Sequence, residues 1–373
     1  MKILIVEPYY TGSHKQWADG YKKYSNHEVK IISMKGQFWK WRMHGGSVTL
    51  AKTYVEMDWK PDLIFCSDML DLSTFLSLTR KQTKNIPVAI YFHENQISYP
   101  WSPKDRDVIN KRDNHYGFIN YTSALSADKV FFNSNFHMDS FLECLKPFLK
   151  SFPDNHEIDT IRTIKEKSKV LPVGLELSKF KNVYTQKNSE PVILWNHRWE
   201  YDKNPEFFFN TLKKIKDNGL SFKLIIVGES FGNTPEIFEK AKIEFEKNIL
   251  EWGYLKTFSE YAECLYKSDI LPVTSNQEFF GVSVMEAIYC GVWPILPERL
   301  SYNELFPDAD HKNNFYSNDS FFYKKIERAI LDIEKIRKIS LKDIPKKYDW
   351  VTISKKYDEA LDELVKDSDL KKG

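Results

Sequence analysis

Two glutamates separated by seven residues form the strongest chemical motif in the sequence. Glu278 and Glu286 lie in the segment EFFGVSVME, with Gly281 between them. Helical spacing places Glu286 inside a helix and Glu278 in the loop that enters it. The amides of Phe280, Gly281 and Val282 would then be free donors at an electropositive helix N-terminus. This spacing suits a polyol attached to a phosphate, and two solvated acids beside an ordinary helix start fit it about as well.

Two cations follow a buried strand pattern earlier in the same half of the chain. Arg198 and Lys203 lie in LWNHRWEYDKNPEFF, where Asn204 is a candidate cap for the next helix. A guanidinium and an ammonium at the carboxyl end of a strand can neutralise a diphosphate. Ion pairs with Glu200 and Asp202 are the alternative, and the two cations alone favour it.

A glycine-containing turn follows the first strand pattern. Gly12, Ser13 and His14 end the segment EPYYTGSH. Ligands of parallel α/β sheets bind at such turns, although this one is neither a GxGxxG fingerprint nor a P-loop. His14 could position a hydroxyl group of an acceptor, or it could simply cap the helix.

Four consecutive polar residues follow another buried strand pattern. His93, Glu94, Asn95 and Gln96 come directly after the run VAIYF. A histidine beside a glutamate can hold or relay a proton, and the position at the end of a strand favours a role in binding or catalysis. A polar turn without function is the alternative.

Cations alternate with aromatic residues in the segment KGQFWKWRMHGG. Trp39, Trp41 and Arg42 lie in it, and Arg106 and Arg112 belong to a second basic cluster. Exposed rings beside cations suit stacking on bases and pairing with phosphates. The alternative is that the rings bury a loop while the cations remain in water.

The elements that must position these residues alternate between apolar runs and helical patterns. Short Val/Ile/Leu/Phe runs separated by helix-length stretches predict parallel strands buried on both faces. The alternation lapses over residues 174–191, which we interpret as a linker. We therefore expect an α/β fold with two Rossmann-like doubly wound domains facing across a cleft. The first domain would span residues 1–180 and the second 185–345, with a final helix, about 350–373, able to pack back on the first.

Composition excludes several classes of protein. The 373 residues include 54 Lys and Arg and 52 Asp and Glu, which gives a formal charge of +2. The whole chain is therefore neither a strongly basic nucleic-acid-binding protein nor a strongly acidic one. Its four cysteines form no CxxC pair, and no cluster has metal-ligand spacing. No run of about 18 apolar residues occurs. We expect a soluble cytoplasmic protein without a metal site or stable membrane insertion.

The order of the motifs in the second half resembles a known family. Arg198 and Lys203, VGES at 227–230, WGYL at 252–255 and the paired glutamates resemble the nucleotide-sugar domain of family 4-type retaining glycosyltransferases, which have the GT-B fold. The branch is suggested by further segments, which resemble the tRNA-queuosine alpha-mannosyltransferases: EPYYTGSHKQ, FWKWR, YFHENQISYP, VFFNSNFHMDSF and PERLSYNEL.

This resemblance implies roles for individual residues. Glu278 would hold donor sugar hydroxyls, Glu286 the ribose, and Arg198 with Lys203 the diphosphate. The Phe280–Val282 amides would contact sugar or phosphate, and the nucleotide base would lie against Gly253, Tyr254 and Leu255. Typical relatives have Lys-Gly where this chain has Lys203-Asn204, which alters that loop. Catalysis would rest on Glu278, His93, Arg198 and Lys203, and the acceptor would meet the turn, FHENQ and basic–aromatic residues named above.

The implied reaction moves mannose from GDP-mannose to the cyclopentenediol of queuosine in a tRNA anticodon loop. It would retain configuration and need no metal or cofactor beyond the donor substrate. The residues alone leave the base open, because guanine and uracil can both lie against Tyr254. The alternatives are a lipid or polysaccharide acceptor in envelope synthesis, a tRNA-binding protein without transfer activity, and a sugar-phosphorylase-like enzyme.

Overall fold

The computed structural model describes residues 1–101, 107, 114–181, 183, 185–230, 234–306 and 309–370. It divides the chain into two compact units, the first formed by Met1–Glu176 with Tyr348–Gly373 and the second by Leu177–Lys347. Most of the stretch interpreted as a linker therefore belongs to the second unit. Arg106 and Arg112, with the rest of the second basic cluster, lie outside the described residues.

A six-stranded parallel sheet organises the first unit, with strand order β2-β1-β3-β4-β5-β6. Its strands are β1 Lys2–Tyr10, β2 Glu28–Lys35, β3 Leu63–Ser67, β4 Val88–Phe92, β5 Lys129–Phe132 and β6 Ser168–Val170. Its described helices are α1 Gly12–Tyr24, α2 Trp39–Val55, α3 Leu72–Thr83, α4 His115–Ser126, α5 Asn135–Lys150 and α6 Thr160–Glu166, with the last helix of the chain, α15 Trp350–Leu370.

A second six-stranded parallel sheet organises the other unit, with strand order β12-β11-β10-β7-β8-β9. Its strands are β7 Val192–Trp195, β8 Lys223–Val227, β9 Ile249–Gly253, β10 Ile270–Pro272, β11 Trp293–Pro297 and β12 Phe315–Tyr316. Its α-helices are α7 Pro205–Asp217, α8 Ile237–Glu244, α9 Phe258–Lys267, α10 Val282–Tyr289, α11 Tyr302–Leu305, α12 Asp319–Leu331, α13 Ile333–Ile336 and α14 Asp343–Lys346. Short 3-10 turns cover Leu177–Phe180, Tyr201–Lys203, Glu246–Asn248 and Ala309–Asn314.

The apolar runs form strands because helices cover both faces of each sheet. Every residue of Leu63–Ser67, Val88–Phe92 and Val192–Trp195 is buried. Burying each large side chain stabilises the fold by about 1.5–3 kcal/mol relative to leaving it exposed. Strands that are buried on both faces are therefore continuous apolar runs, without the alternation of apolar and polar residues expected of a half-solvated sheet. The parallel α/β architecture predicted from the sequence is confirmed for both units.

The last helix of the chain packs on the first unit. The indole of Trp350 lies directly over two glycines, since a Cβ on Gly20 or Gly174 would approach it to 2.0 or 2.3 Å. The hydroxyl of Tyr21 donates to Asp358 at 2.9 Å in the same contact. These small residues let α15 approach the sheet closely and fasten the end of the chain to its beginning.

Helix α2 begins earlier than its apolar spacing indicates. The sequence predicts a helix from about residue 50, whereas α2 starts at Trp39. Lys40 and Arg42 interrupt the apolar pattern. The Nζ of Lys40 lies 5.8 Å from the ring centroid of Tyr116, within the core cluster that Met43 joins, so the cation covers this cluster while the apolar spacing hides it. Among the helices that the structure describes, none is long and apolar enough to span a bilayer.

Candidate active site

The predicted donor residues of the second unit meet at the carboxyl edge of its sheet. The loops after β7 and β10 carry Arg198 with Lys203 and Glu278, respectively. Because β7 and β10 are adjacent and parallel, the two loops emerge side by side. The adjacent strands therefore bring Lys203 close to Glu278, although the two residues are about 75 positions apart in the sequence.

Glu278 holds the turn that leads into the next helix. Gly281 takes a left-handed backbone with φ of 92°, and α10 begins at the next residue, Val282. The Oε1 atom of Glu278 accepts the amide of Gly281 at 3.0 Å and that of Phe280 at 3.4 Å. Two of the three amides predicted to face a ligand thus donate to the glutamate in this structure.

Lys203 is buried within a cluster of acceptors. Its Nζ lies 3.2 Å from Glu278 Oε2, 3.2 Å from Asp202 Oδ2 and 2.9 Å from the carbonyl oxygen of Gln277. Burial disfavours the charge on both sides of the pair, but the mutual attraction prevails. It raises the pKa of Lys203 above its usual value and lowers that of Glu278 below its own. The pair is therefore ionised at neutral pH.

Arg198 is exposed and faces Glu200, with 3.6 Å between Nη2 and Oε2. Both ion pairs of the alternative interpretation are thus present, Arg198 with Glu200 and Lys203 with Asp202. They do not exclude a binding role, because Lys203 contacts Glu278 as well. Asn204 caps α7 as predicted, with its side-chain oxygen 3.4 Å from the amide of Phe207.

Glu286 lies inside helix α10, beyond Glu278 in the sequence, and has a different environment. Its Oε2 accepts the hydroxyl of Tyr261 at 2.8 Å, and the amide of Asn196 lies 3.3 Å from the same hydroxyl. Burial raises the pKa of Glu286 to about 7, while the Tyr261 hydrogen bond and the charge of Lys179 partly oppose the rise. The two glutamates of the motif therefore carry different charges near neutral pH.

His197 is a site residue that the sequence interpretation missed. Its Nδ1 lies 3.1 Å from the hydroxyl of Ser283, and its Nε2 is buried without a partner among the described residues. Burial, followed by the charge of Lys203, lowers the pKa of His197 to about 4, so the imidazole is neutral. A Cβ on Gly228 would lie 2.1 Å from the His197 carbonyl oxygen, which explains the glycine of VGES. The signal was the position of His197 beside Arg198.

The WGYL segment ends β9 at the same edge of the sheet. Gly253 has a φ of 117°, Tyr254 is 66% exposed and Leu255 is half-buried. An exposed ring and a glycine backbone offer a flat surface against which a nucleotide base can lie.

In the first unit, His14 is joined to a carboxylate that the sequence interpretation left out. Glu7 is 0% exposed in the second half of β1, and its Oε2 lies 3.0 Å from Nδ1 of His14. Its Oε1 accepts the amide of Tyr9 at 2.8 Å. Gly12 and Ser13, which precede His14 in α1, are exposed. An acid inside an apolar strand is the signal that could have identified Glu7.

His93 stacks on His14. Their ring centroids lie 4.1 Å apart, and the amide of His93 donates to Oδ1 of Asp68 at 2.8 Å. The side chain of Asn133 donates to the His93 carbonyl oxygen at 3.0 Å. Burial, followed by the nearby His14 and His137, lowers the pKa of His93 well below its usual value, so the ring is neutral. The structure thus places His14 of the turn beside His93 of FHENQ.

The same cluster contains three groups of metal-ligand type. One donor atom from each of Glu7, His14 and His93 lies within 4.8 Å of the others. The His14 and His93 rings are tilted by 40° with 4.1 Å between their centroids, and Nδ1 of His14 is held by Glu7. We therefore describe the cluster as an ion pair packed against a second imidazole.

The remaining FHENQ residues differ in their availability. Asn95 is fully buried, and its side-chain oxygen accepts the amides of Ile97 and Ser98 at 3.0 and 2.8 Å. It therefore builds the turn instead of facing a ligand. The side chain of Gln96 donates to Glu94 at 3.2 Å. Both residues are half-buried, so they remain partly accessible to a ligand.

The basic–aromatic segment is divided between core and surface. Trp39 packs against Tyr116 with 5.2 Å between ring centroids, whereas Trp41 is 62% and Phe38 75% exposed. The Nε of Arg42 donates to the carbonyl oxygen of Lys35 at 3.0 Å. Stacking on a ligand is consequently open to Trp41 and Phe38, while Trp39 anchors the segment.

Comparison with known proteins separates the two halves of the chain. Residues 2–175 match a family described as tRNA-queuosine alpha-mannosyltransferase N-terminal, and residues 178–343 match glycosyl transferases group 1. A tRNA-queuosine alpha-mannosyltransferase of Drosophila melanogaster is 35% identical over 335 residues, covering 87% of this chain and 85% of that protein.

Solved structures resemble both units together. Sucrose-phosphate synthase from Thermosynechococcus elongatus has a TM-score of 0.69 at 13% identity, covering 98% of this chain and 99% of that one. The Anabaena protein HepE, crystallised with UDP and glucose, has a TM-score of 0.65 at 16% identity, covering 97% of this chain and 100% of that one. With the two parallel sheets, these likenesses show the GT-B fold.

Proposed function

The chain belongs to the tRNA-queuosine alpha-mannosyltransferase family and is a glycosyltransferase, and we propose that it transfers mannose from GDP-mannose to the cyclopentenediol of queuosine in a tRNA anticodon loop. The family membership supports the acceptor, because the N-terminal match is to the tRNA-queuosine enzymes themselves. With a tRNA acceptor, the enzyme would work in the cytoplasm.

The observation that carries the transferase chemistry is the Lys203–Glu278 pair at the start of α10. A carboxylate offers about four lone-pair sites, and Glu278 uses three of them for Lys203, Phe280 and Gly281. The carboxylate is thus rigidly oriented and keeps one site for a hydroxyl of the donor sugar. Such preorganisation favours the transition state without a cost of reorientation during the reaction.

The leaving diphosphate requires positive charge, which this edge of the sheet supplies. Arg198 and Lys203 would neutralise the phosphates, and the N-terminal end of α10 would add its dipole. We infer that the transfer needs no metal for this purpose. We also infer retention of configuration, with the leaving phosphate accepting the proton of the acceptor hydroxyl. Glu286 would hold the ribose, and Gly253, Tyr254 and Leu255 would lie against the base.

The acceptor would bind the first unit. His14 and His93 would face the reacting groups, since both lie at the carboxyl edge of its sheet. Trp41 would stack on a base of the anticodon loop, and Arg42 would contact phosphate. Arg106 and Arg112 remain part of this proposal.

Donor competition and product analysis test the proposal. We expect queuosine-containing tRNA to be mannosylated from GDP-mannose, undiminished by EDTA, with the α-configuration of the donor kept in the product. UDP-glucose is the matched control donor and should give at least about tenfold less product. Transfer that prefers UDP-glucose, or that stops with EDTA, would contradict the donor or the metal-independent part, respectively.

A further inference from the structure

The buried Glu7 carboxylate has no role in the transfer as described above. It lies in the second half of β1 with no exposure to solvent, and its two oxygens bind Nδ1 of His14 and the amide of Tyr9. A buried carboxylate is costly unless it is paired, so an acid at this position needs a specific partner. The geometry gives it one, since His14 lies 3.0 Å away.

The other groups around His14 come from β1 itself and from the segments that follow β3 and β4. Asp68 follows β3, and Glu94 and His93 follow β4; both acids act on His14 electrostatically, whereas the His93 ring stacks on it. The ring of Tyr9 meets His14 edge-on, with 5.9 Å between centroids. His14 is therefore a basic group surrounded by acids, and Glu7 is the acid in direct contact.

His14 lies in the first turn of α1. His14 is the third residue of this 13-residue helix, whose first turn contains no acidic residue and whose Thr11 side chain gives no cap. A Cβ on Gly12 would meet nothing within 4 Å, so the space before the helix is open. Nδ1 of His14 binds Glu7, and Nε2 has no hydrogen-bond partner among the residues that the structure describes.

We propose that Glu7 is a positioning residue that orients His14 through Nδ1 and keeps its imidazole protonated, so that Nε2–H donates to a negatively charged oxygen of a substrate. The inference rests on the proposed transfer and assigns the two stacked histidines different tasks. His14 is the protonated donor at neutral pH, and His93 is the neutral partner. Helix N-termini and cationic donors together stabilise anionic oxygens.

The ionisation of the cluster agrees with this arrangement. Burial disfavours a charge on His14, but the attraction and hydrogen bond of Glu7, together with the charges of Asp68 and Glu94, outweigh it and raise the pKa of His14 to about 9. Burial raises the pKa of Asp68 to about 8, so Asp68 contributes less negative charge at neutral pH. Without the charge of Glu7, burial would dominate and His14 would become neutral.

NMR titration of histidine-labelled full-length protein tests the charge without any substrate. We expect the His14 imidazole, assigned with a His14→Gln variant, to be protonated at pH 7.5 in the wild type and neutral in Glu7→Gln. Asp62→Asn is the matched control, because Asp62 binds the amide of Lys2 at the other end of β1. A neutral His14 in the wild type overturns the proposal, and this holds even if Glu7→Gln fails to fold. So does an unchanged titration in Glu7→Gln.

Transfer kinetics test the consequence. We expect kcat/KM of Glu7→Gln to fall about tenfold or more at pH 8 relative to the wild type, and the deficit to be smaller at pH 6, where His14 begins to regain its proton. Glu7→Gln should add nothing to His14→Gln in the double variant. A loss that is the same at both pH values, or that adds to His14→Gln, indicates a structural role and contradicts the proposal.

Binding measurements at pH 8 identify the source of the oxygen. Affinities of Glu7→Gln for GDP-mannose alone and for queuosine-containing tRNA alone are compared with the wild type. Weakening of the first assigns the donor, and weakening of the second assigns the RNA. Unchanged affinity for both, together with a pH-independent kcat, overturns the proposal. If the wild type transfers no mannose from GDP-mannose to queuosine-containing tRNA, the proposed function fails, while the NMR titration still decides whether Glu7 keeps His14 protonated.

Discussion

The two glutamates of the EFFGVSVME motif differ in charge because they have different neighbours. Glu278 is paired with Lys203 and two amides, whereas Glu286 meets a neutral hydroxyl in a buried setting. The sequence spacing identifies the two glutamates as a motif, but it does not show that their environments differ. The environments differ because of residues on or next to β7, α9 and the 3-10 turn before α7, which are distant in sequence.

Replacement of Glu278 tests the role of its fixed carboxylate. We expect Glu278→Gln to lower kcat by about 100-fold or more, because one preorganised charge at a reacting centre is worth that much. The circular dichroism spectrum should not change, since Lys203 keeps Asp202. Glu298→Gln is a charge-matched control on the exposed surface of the same unit and should retain full activity. Full activity of Glu278→Gln would contradict the assignment.

The pKa of Glu286 predicts how donor binding depends on pH. The folded-state pKa is about 7, so the ionised form that accepts ribose hydroxyls dominates above pH 7 and is lost as pH falls through it. We expect the Kd for GDP-mannose to rise about tenfold between pH 8 and pH 6, since one pKa unit corresponds to about 1.4 kcal/mol. Calorimetry measures this change. Glu286→Gln should bind weakly at both pH values, and a pH slope that survives in this variant would assign the effect elsewhere.

At the scale of elements, continuous apolar runs were the best guide to structure. The run VAIYF was predicted as a buried strand and forms β4 Val88–Phe92 with the same bounds, because parallel strands covered on both faces leave no polar interruption. The start of α2 was missed for the converse reason, since Lys40 and Arg42 interrupt the apolar spacing of its first turn. The contacts of Glu7 with His14 and of Asp68 with His93 depend on which strands are neighbours, which periodicity does not report.

Gly228 tests the close approach of the loops after β7 and β8. We expect Gly228→Ala to lower the free energy of unfolding by about 1–3 kcal/mol, because the new Cβ would meet the backbone carbonyl of His197, which cannot rotate away. Chemical denaturation measures the loss. Gly219→Ala is the control for backbone strain alone, since its φ is 82° but its Cβ would meet nothing within 4 Å. Equal losses in both variants would show that the close approach contributes nothing.

At the scale of the whole molecule, the chain leaves the first unit at Glu176 and returns to it at Tyr348. The return depends on Trp350, whose indole is fully buried against Gly20 and Gly174. The sequence indicated a final helix by its spacing, but the two glycines that receive the indole are more than 150 residues away and carry no recognisable signal.

Removal of the Trp350 indole tests whether the packing of α15 stabilises the first unit. We expect Trp350→Ala to lower the free energy of unfolding of the first unit by about 3–5 kcal/mol, as large-to-small changes in a core do. Hydrogen exchange of the amides of α1 and β1 would report it. Val351→Ala is the matched control, because Val351 is the next residue and is exposed. Unchanged exchange in Trp350→Ala would mean that α15 does not stabilise the unit.

The central claim is mannosyl transfer to queuosine, and the mass of the modified nucleoside tests it most directly. Purified protein is incubated with GDP-mannose and tRNA that contains or lacks queuosine, and the nucleosides are weighed after digestion. We predict that queuosine gains the mass of one hexose residue and that tRNA without queuosine gains none. Hexose on both tRNAs, or on neither while GDP-mannose is bound or hydrolysed, would contradict the acceptor that this account assigns.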